Sequence, residues 1–277
     1  MRKKLAISAA AVLFAFAVTG LHGCGKAEKP PEAKPRTQAA AVPARPRARV
    51  LSVRPKPAGP AVALVIDDIG EDMASLESLA ALKARLTVAV LPGRRHSADT
   101  ARAARRAGIE VILHLPMQPK EDVAGLGQGA LTTGMTPEAV EQTLADDLES
   151  VPRAAGVNNH MGSLYTADSD GMHALMSCLK GRGLFFVDSR TSPDSVATDE
   201  AEATGVKSAS RDVFLDNSPD PADIQVQIDK LAEIAKRHGS AIGIGHPRPA
   251  TLAALKTGIP RLEREGIRLV PVSTLVR

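Results

Sequence analysis

From residue 61 to the C-terminus, short apolar runs of strand length alternate with helical patterns, and five of the runs end in a polar island. The islands are Ile66-Asp67-Asp68-Ile69-Gly70, Leu113-His114-Leu115-Pro116-Met117, Asn158-Asn159-His160-Met161-Gly162-Ser163, Val187-Asp188-Ser189-Arg190-Thr191 and Gly245-His246-Pro247. Alternation of this kind predicts a parallel sheet with helices outside it. The carboxyl ends of the strands then emerge on one face, so islands far apart in sequence can converge on one pocket. Asp and His are the residue types that a metal-dependent hydrolase needs there.

Seven buried strands are predicted: Ala61 to Ile66, Leu86 to Leu91, Ile109 to Leu113, Gly156 to Asn158, Leu184 to Val187, Ala241 to Ile244 and Ile267 to Val272. Helical patterns run over about Asp72 to Ala84, Ala98 to Ala107, Pro137 to Ser150, Gly171 to Lys180, Pro221 to Arg237 and Ala250 to Glu265. Thr136 before Pro137 has the chemistry of an N-cap followed by a first-turn proline. The stretch from Ser189 to Phe214 reads as an irregular loop or hairpin over the pocket. The 217 residues from 61 to 277 fit one α/β domain, an irregular (β/α) barrel of about seven parallel strands, better than two domains.

The first sixty residues are different material. Arg2, Lys3 and Lys4 precede an apolar run from Leu5 to Val18 that ends in Leu21-His22-Gly23-Cys24, the form of a secretory signal (1–24) with a lipoprotein cleavage box. The run is shorter than the roughly 20 residues that span a bilayer. Lipidation of Cys24 is the expectation, with soluble secretion and an uncleaved anchor as alternatives. Gly25 rather than Asp after Cys24, by resemblance to bacterial lipoproteins, favours the outer membrane. The address is then the periplasmic side of the envelope. Residues 25–60 hold 8 of the 20 prolines and read as a basic tether. Residues 1–60 carry a net +10 and residues 61–277 a net −6, so the overall +4 and the pI near 9.2 misrepresent the domain. No nucleic-acid partner follows from them. Cys178 lies in a helical pattern with no polar island beside it and reads as a structural thiol.

Within the islands, Asp67 and Asp68 can both enter one pocket only if the backbone turns at the strand end, because neighbours on a strand face opposite ways. Gly70 makes such a turn plausible; the alternative is that one Asp caps the next helix. A bound cation is the simplest partner for two adjacent carboxylates at the end of a buried strand. His114, between apolar neighbours, reads as a core histidine or a ligand. His160 sits in a polar, turn-prone segment, and Pro247 holds His246 at a strand mouth. Asp188 has two readings, orienting a histidine or pairing with Arg190, and Arg190 could instead bind a substrate acid or phosphate.

Taken together, Val-Ile-Asp-Asp-Ile-Gly, Leu-His-Leu-Pro-Met, Val-Asn-Asn-His-Met-Gly-Ser, Phe-Val-Asp-Ser-Arg-Thr and Ile-Gly-His-Pro closely resemble the divergent polysaccharide deacetylase family, a branch of the glycoside hydrolase/deacetylase β/α-barrel superfamily. The resemblance implies an irregular β/α barrel, a divalent metal that is usually zinc, and removal of acetyl groups from an N-acetylated carbohydrate by metal-activated water. By analogy with carbohydrate deacetylases, Asp67 matches the general base and Asp68 the carboxylate ligand. His114 matches the first histidine of their His-x-x-x-His motif, whose second position is Gln118 here. His160 is the candidate replacement ligand, and His246 matches the acid that protonates the leaving amine. Asp188, Arg190 and Asn159 are candidates for supporting or substrate contacts. The periplasmic address makes an envelope carbohydrate, such as a peptidoglycan-derived one, the nearest substrate, with membrane attachment through Cys24.

Two rival classes stand beside this reading. One is a non-catalytic wall-binding or regulatory protein that keeps the fold; Gln118 and the scarcity of aromatics speak for it, since the domain has no Trp and only Tyr165, Phe185, Phe186 and Phe214. The other is a glycosidase, which needs two carboxyls flanking the scissile bond, with Asp68 and Asp188 as the conceivable pair.

Overall fold

The computed structural model describes residues 59–121, 126–127 and 129–277. The signal segment, Cys24 and the tether up to residue 58 lie outside the described residues.

Nine strands form one all-parallel sheet: β1 (Ala61–Ile69), β2 (Thr87–Val90), β3 (Glu110–Met117), β4 (Gly156–Met161), β5 (Phe185–Asp188), β6 (Ser208–Ser210), β7 (Val213–Phe214), β8 (Ser240–Gly245) and β9 (Arg268–Leu269). Seven helices separate them: α1 (Met73–Ala80), α2 (Ser97–Arg106), α3 (Pro137–Ser150), α4 (Ser169–Arg182), α5 (Ala197–Thr204), α6 (Pro221–His238) and α7 (Pro249–Arg264). The spatial order is β6-β5-β4-β3-β2-β1-β8-β7. On the side of β1 that faces β2, β9 pairs with Ala61 and Val62, whereas β2 pairs with Val65 to Ile69.

The stretch from Ser189 to Phe214 corrects the expectation of an irregular loop or hairpin. It contains α5 and then a single extended run whose first half, β6, pairs with β5 and whose second half, β7, pairs with β8. Between the two, Arg211 N donates to Asp188 O and Asp212 N to Ile242 O, each at 2.9 Å. The run therefore bridges the two ends of the sheet and turns it into an irregular barrel. Ser208-Ala209-Ser210 is too polar and too short to announce itself as a strand; its pairing is set by neighbours distant in sequence.

Strand alternation sorts the core into two layers. Val62, Leu64 and Ile66 of β1 pack with helix residues such as Leu76, Leu231 and Leu255. Ala61, Ala63 and Val65 join Ala89, Ile112, Phe185, Val187, Ile242, Ile244, Val270 and Val272 in a separate cluster that contains no residue of α1–α7. That second cluster fills the barrel interior, and the residues that continue its alternation upward form the floor of the site. Cap chemistry reads as anticipated at α3, where Thr136 Oγ1 accepts from Ala139 N at 3.3 Å. At α1 the cap is Asp72, whose side chain accepts from Ser75 N at 2.8 Å, so neither Asp67 nor Asp68 is used there.

Candidate metal centre

The inward parity of β1, β3, β4 and β8 delivers polar side chains to the top of the barrel. On β1 it runs Ala61, Ala63, Val65, Asp67; on β3 it runs Ile112, His114; on β8 it runs Ile242, Ile244 and then His246 just past the strand. On β4 it brings in Asn158 and His160; Asn158 is the register partner of His114, and His160 that of Pro116. Asp68 would face the helices on a regular strand. Instead its φ is +57° and the β1–β2 register shifts between Ile66 and Ile69, a bulge that swings the second carboxylate inward. The turn expected at Gly70 is thus made earlier, by Asp68 itself. Asp68, Met161 and Arg190, three of the five non-glycine residues with positive φ among those described, lie at or just past the carboxyl ends of β1, β4 and β5, as strained backbone at functional sites commonly does.

Asp68 Oδ1 lies 3.2 Å from His114 Nε2 and 3.1 Å from His160 Nδ1, and the two imidazole nitrogens are 3.1 Å apart. Although the Asp68 side chain is 37% exposed, Oδ1 is buried and has no hydrogen-bond donor of adequate geometry among the described residues. Three potential ligand atoms thus face one another in a triangle. A proton on His160 Nδ1 satisfies only one edge, whereas a cation satisfies all three. Tetrahedral ligands at zinc–ligand distances of about 2.0–2.1 Å stand about 3.3 Å apart, close to the observed edges. These residues therefore fit a divalent metal with two imidazole ligands and one carboxylate.

Asp67 is buried beside this triangle, its Oδ2 3.7 Å from His114 Nε2. Burial pushes its pKa up, against the pull of His114, His246 and the Asn158 hydrogen bond. Asp68 goes the other way: burial opposes ionisation, but the imidazoles of His114 and His160 outweigh it and hold the carboxyl far below the usual range. Burial works against charge on His114, yet the carboxylates of Asp67 and Asp68 raise its pKa, so the pocket favours a positive charge at this point.

His246 faces the triangle from the opposite wall, Nε2 at 3.6 Å from Asp68 Oδ2. Its Nδ1 pairs with Asp216 Oδ1 at 3.0 Å, and Asp216 Oδ2 accepts from His246 N and Thr251 Oγ1, each at 2.8 Å. Burial opposes protonation of His246, but Asp216, Asp68 and Asp67 overcome it and raise the pKa. Asp216 is fully buried and was not singled out from the sequence. Its signal was present: the apolar Val213-Phe214-Leu215 precedes it, as apolar runs precede the other islands, at the end of a stretch read as irregular.

The remaining candidates sit elsewhere. Asn159 lies on the opposite face of β4 from His160; its Oδ1 accepts from Ser189 N at 2.8 Å and its Nδ2 donates to Met161 O at 2.7 Å, so it ties two rim loops together. Asp188 accepts from Arg190 N and Ser195 Oγ and contacts neither a histidine nor the Arg190 guanidinium, which is exposed. With both oxygens engaged in its own loop, Asp188 offers no second carboxyl for a glycosidase. Gln118 turns away from the triangle, its Oε1 accepting from Thr133 N and Oγ1. Cys178 is half-buried on α4, and burial pushes its thiol up to about 11, which leaves it protonated and poorly nucleophilic. Among the described aromatics, Tyr165, Phe185 and Phe186 are buried, and only Phe214 stands at the site, its ring 5.4 Å from that of His246.

Comparison with known proteins gives the family and the fold. YibQ, an uncharacterized protein of Escherichia coli K12, is 39% identical over 215 residues, covering 78% of this chain and 67% of YibQ. The crystal structure of the uncharacterized protein ATU2773 from Agrobacterium tumefaciens C58 superposes with a TM-score of 0.73 at 26% identity, over 79% of this chain and 89% of that one. BA3943, a CE4 family pseudoenzyme from Bacillus anthracis, shares the fold with a TM-score of 0.51 at 15% identity, over 79% of this chain and 66% of that one. The sequence model of the divergent polysaccharide deacetylases matches residues 64–276, the whole of the barrel from the middle of β1 onward, and this chain belongs to that family.

Proposed function

We propose that this protein is a metal-dependent deacetylase that hydrolyses an N-acetyl group of an envelope carbohydrate. The observation that carries the reading is the triangle of Asp68 Oδ1, His114 Nε2 and His160 Nδ1, three ligand atoms whose mutual edges one shared cation satisfies together. A divalent ion held by these residues, zinc being well suited to imidazole and carboxylate, would supply Lewis acidity toward an acyl oxygen and an acidified water. Asp67 takes the proton from the attacking water; its raised pKa brings a carboxylate closer to the working pH of a general base. His246 gives the proton on Nε2 to the departing amine nitrogen, while Asp216 holds Nδ1–H and keeps Nε2 aimed across the pocket. The products are acetate and a free amino sugar.

With Phe214 as the one aromatic ring at the rim among the described residues, stacking platforms for a long sugar chain are scarce, which favours a short or peptide-bearing glycan. The signal-like residues 1–24 and Cys24 support export to the periplasmic side and a lipid anchor, with the outer membrane favoured and peptidoglycan fragments within reach. The non-catalytic wall-binding reading draws on the same scarcity of aromatics and on Gln118, whose Oε1 accepts from Thr133 where a second motif histidine is expected. Elemental analysis of the purified protein, beside Asp68→Ala and His160→Ala, separates the two. About one zinc per parent chain, lost in both variants and accompanied by chelator-sensitive acetate release from N-acetylated glycans, is expected. A parent that stays metal-free after zinc reconstitution would place the binding reading first.

A further inference from the structure

Asn158 is fully buried between the base and the first histidine ligand, and its hydrogen bonds admit one orientation. Its Nδ2 donates to Asp67 Oδ1 at 2.9 Å and stands 3.3 Å from Ser189 Oγ. A carboxylate only accepts, and the Ser189 hydroxyl proton is directed to Asn159 O at 3.0 Å, which leaves its oxygen free to accept as well. Both amide hydrogens therefore have acceptors on one side, and the amide oxygen must face His114 Nδ1, 2.9 Å away. Only the Nδ1–H form of the imidazole can donate to that oxygen. His114 Nε2 is then bare, and it is the atom that faces Asp68 Oδ1 and His160 Nδ1.

We infer that Asn158 is a positioning residue that sets the tautomer of His114 for metal binding and, with the same amide, anchors the general base Asp67. The polarity of the relay begins at the charged end: the Asp67 carboxylate fixes the amide, the amide fixes the imidazole, and the imidazole presents a lone pair to the cation. Full burial of Asn158 excludes contact with substrate, and its register pairing with His114 across β3 and β4 leaves the relay little freedom. The arrangement also accounts for the paired asparagines of β4, one on each face: Asn158 serves the centre and Asn159 the loops. This inference rests on reading the triangle as a metal site, but its central claim is testable without a metal.

The test pairs two variants with two measurements on the full-length protein. Zinc affinity, measured by competition with a chromophoric chelator, is expected to fall about 10- to 100-fold in Asn158→Ala, the usual loss when a ligand's outer partner is removed. Asn158→Asp keeps an acceptor for His114 Nδ1 and is expected to hold zinc within about threefold of the parent, while acetate release is lost because Asp67 meets a carboxylate where it had a donor. The second measurement is the 15N shift pattern of His114 in metal-free protein at a pH where the imidazole is neutral. The parent and Asn158→Asp should show the Nδ1–H tautomer, and Asn158→Ala a mixture. An Nε2–H tautomer in the parent, parental zinc affinity in Asn158→Ala, or equal loss of zinc in both variants would overturn the inference. If the parent binds no zinc, the proposed activity fails while the tautomer still decides the role of Asn158. If Asn158→Ala does not fold, Asn158→Asp carries both measurements.

Discussion

Replacing Asp216 by Asn tests the acid side of the mechanism with a change of a single atom type. Asp216 Oδ2 accepts from His246 N, a backbone donor that cannot reverse, so the Asn oxygen must take that place. The amide nitrogen then occupies the position of Oδ1, 3.0 Å from His246 Nδ1, and two donors face each other whenever the imidazole is protonated there. His246 is driven to the neutral form with Nδ1 accepting. One hydrogen bond to a charged group, worth roughly 1.5–3 kcal/mol, is lost from the protonated state; at 1.36 kcal/mol per unit the pKa falls by roughly 1–2 units. The assay is the pH dependence of kcat/KM for acetate release, whose alkaline limb should move down by that amount with metal content unchanged. Stability gives an independent readout. Because the folded pKa of His246 is raised above its ordinary value of 6.5, the pairing contributes fully below that pH and fades as pH rises through the folded value. Melts at about pH 6 should therefore drop by roughly 3–12 °C in Asp216→Asn, and the gap to the parent should narrow at alkaline pH. An unmoved alkaline limb, together with an equal loss of Tm at every pH, would refute the assignment of His246 as the acid tuned by Asp216.

Further outcomes are expected. Asp67→Asn should keep its zinc, since Asp67 is not part of the triangle, while acetate release falls about 10²- to 10⁴-fold, the usual contribution of a general base; loss of metal would show that Asp67 is a ligand instead. Gly162 has φ +89°, and a Cβ there would lie 2.9 Å from Met117 Cβ, so Gly162→Ala should cost about 1–3 kcal/mol in denaturant unfolding and weaken zinc binding through the loop that follows His160. On α3, burial raises the Asp147 pKa to about 7, and its Oδ2 has no hydrogen-bond partner among the described residues. A carboxyl whose folded pKa is raised destabilises the protein as pH climbs from about 4 to 7. Asp147→Asn should thus raise stability at pH 8 by up to about 4 kcal/mol and change little at pH 4, as thermal melts at the two pH values will show.

Much of the architecture was legible because its signals are local. The Val-, Ile- and Leu-rich runs of β1, β2, β3 and β8 and the Thr136-Pro137 start of α3 declare themselves within a few residues, and the alternation of the two element types fixes a parallel sheet. Where the signal was not local, the reading fell short. Of the two short strands at 208–214, β6 is polar and β7 is only two residues long; they are strands because β5 and β8 present unpaired edges on either side of them. Asp216 follows immediately and was hidden by the same misreading.

At the site, the sequence determined which chemistry is available. Asp67, Asp68, His114, His160 and His246 each follow an apolar run, and parallel strands bring their carboxyl ends together. Tertiary structure alone decided which atoms meet. A left-handed residue at Asp68 reversed the alternation that would have sent its carboxylate outward, a matter of one dihedral angle held by the β1–β2 bulge. Strand parity separated the adjacent Asn158 and Asn159, placing one between His114 and Asp67 and the other among the rim loops, and register across β3 and β4 set the amide against the imidazole. Residue types and their order follow from the chain itself. The directions of side chains depend on register and backbone strain, which are set by contacts between segments far apart in sequence.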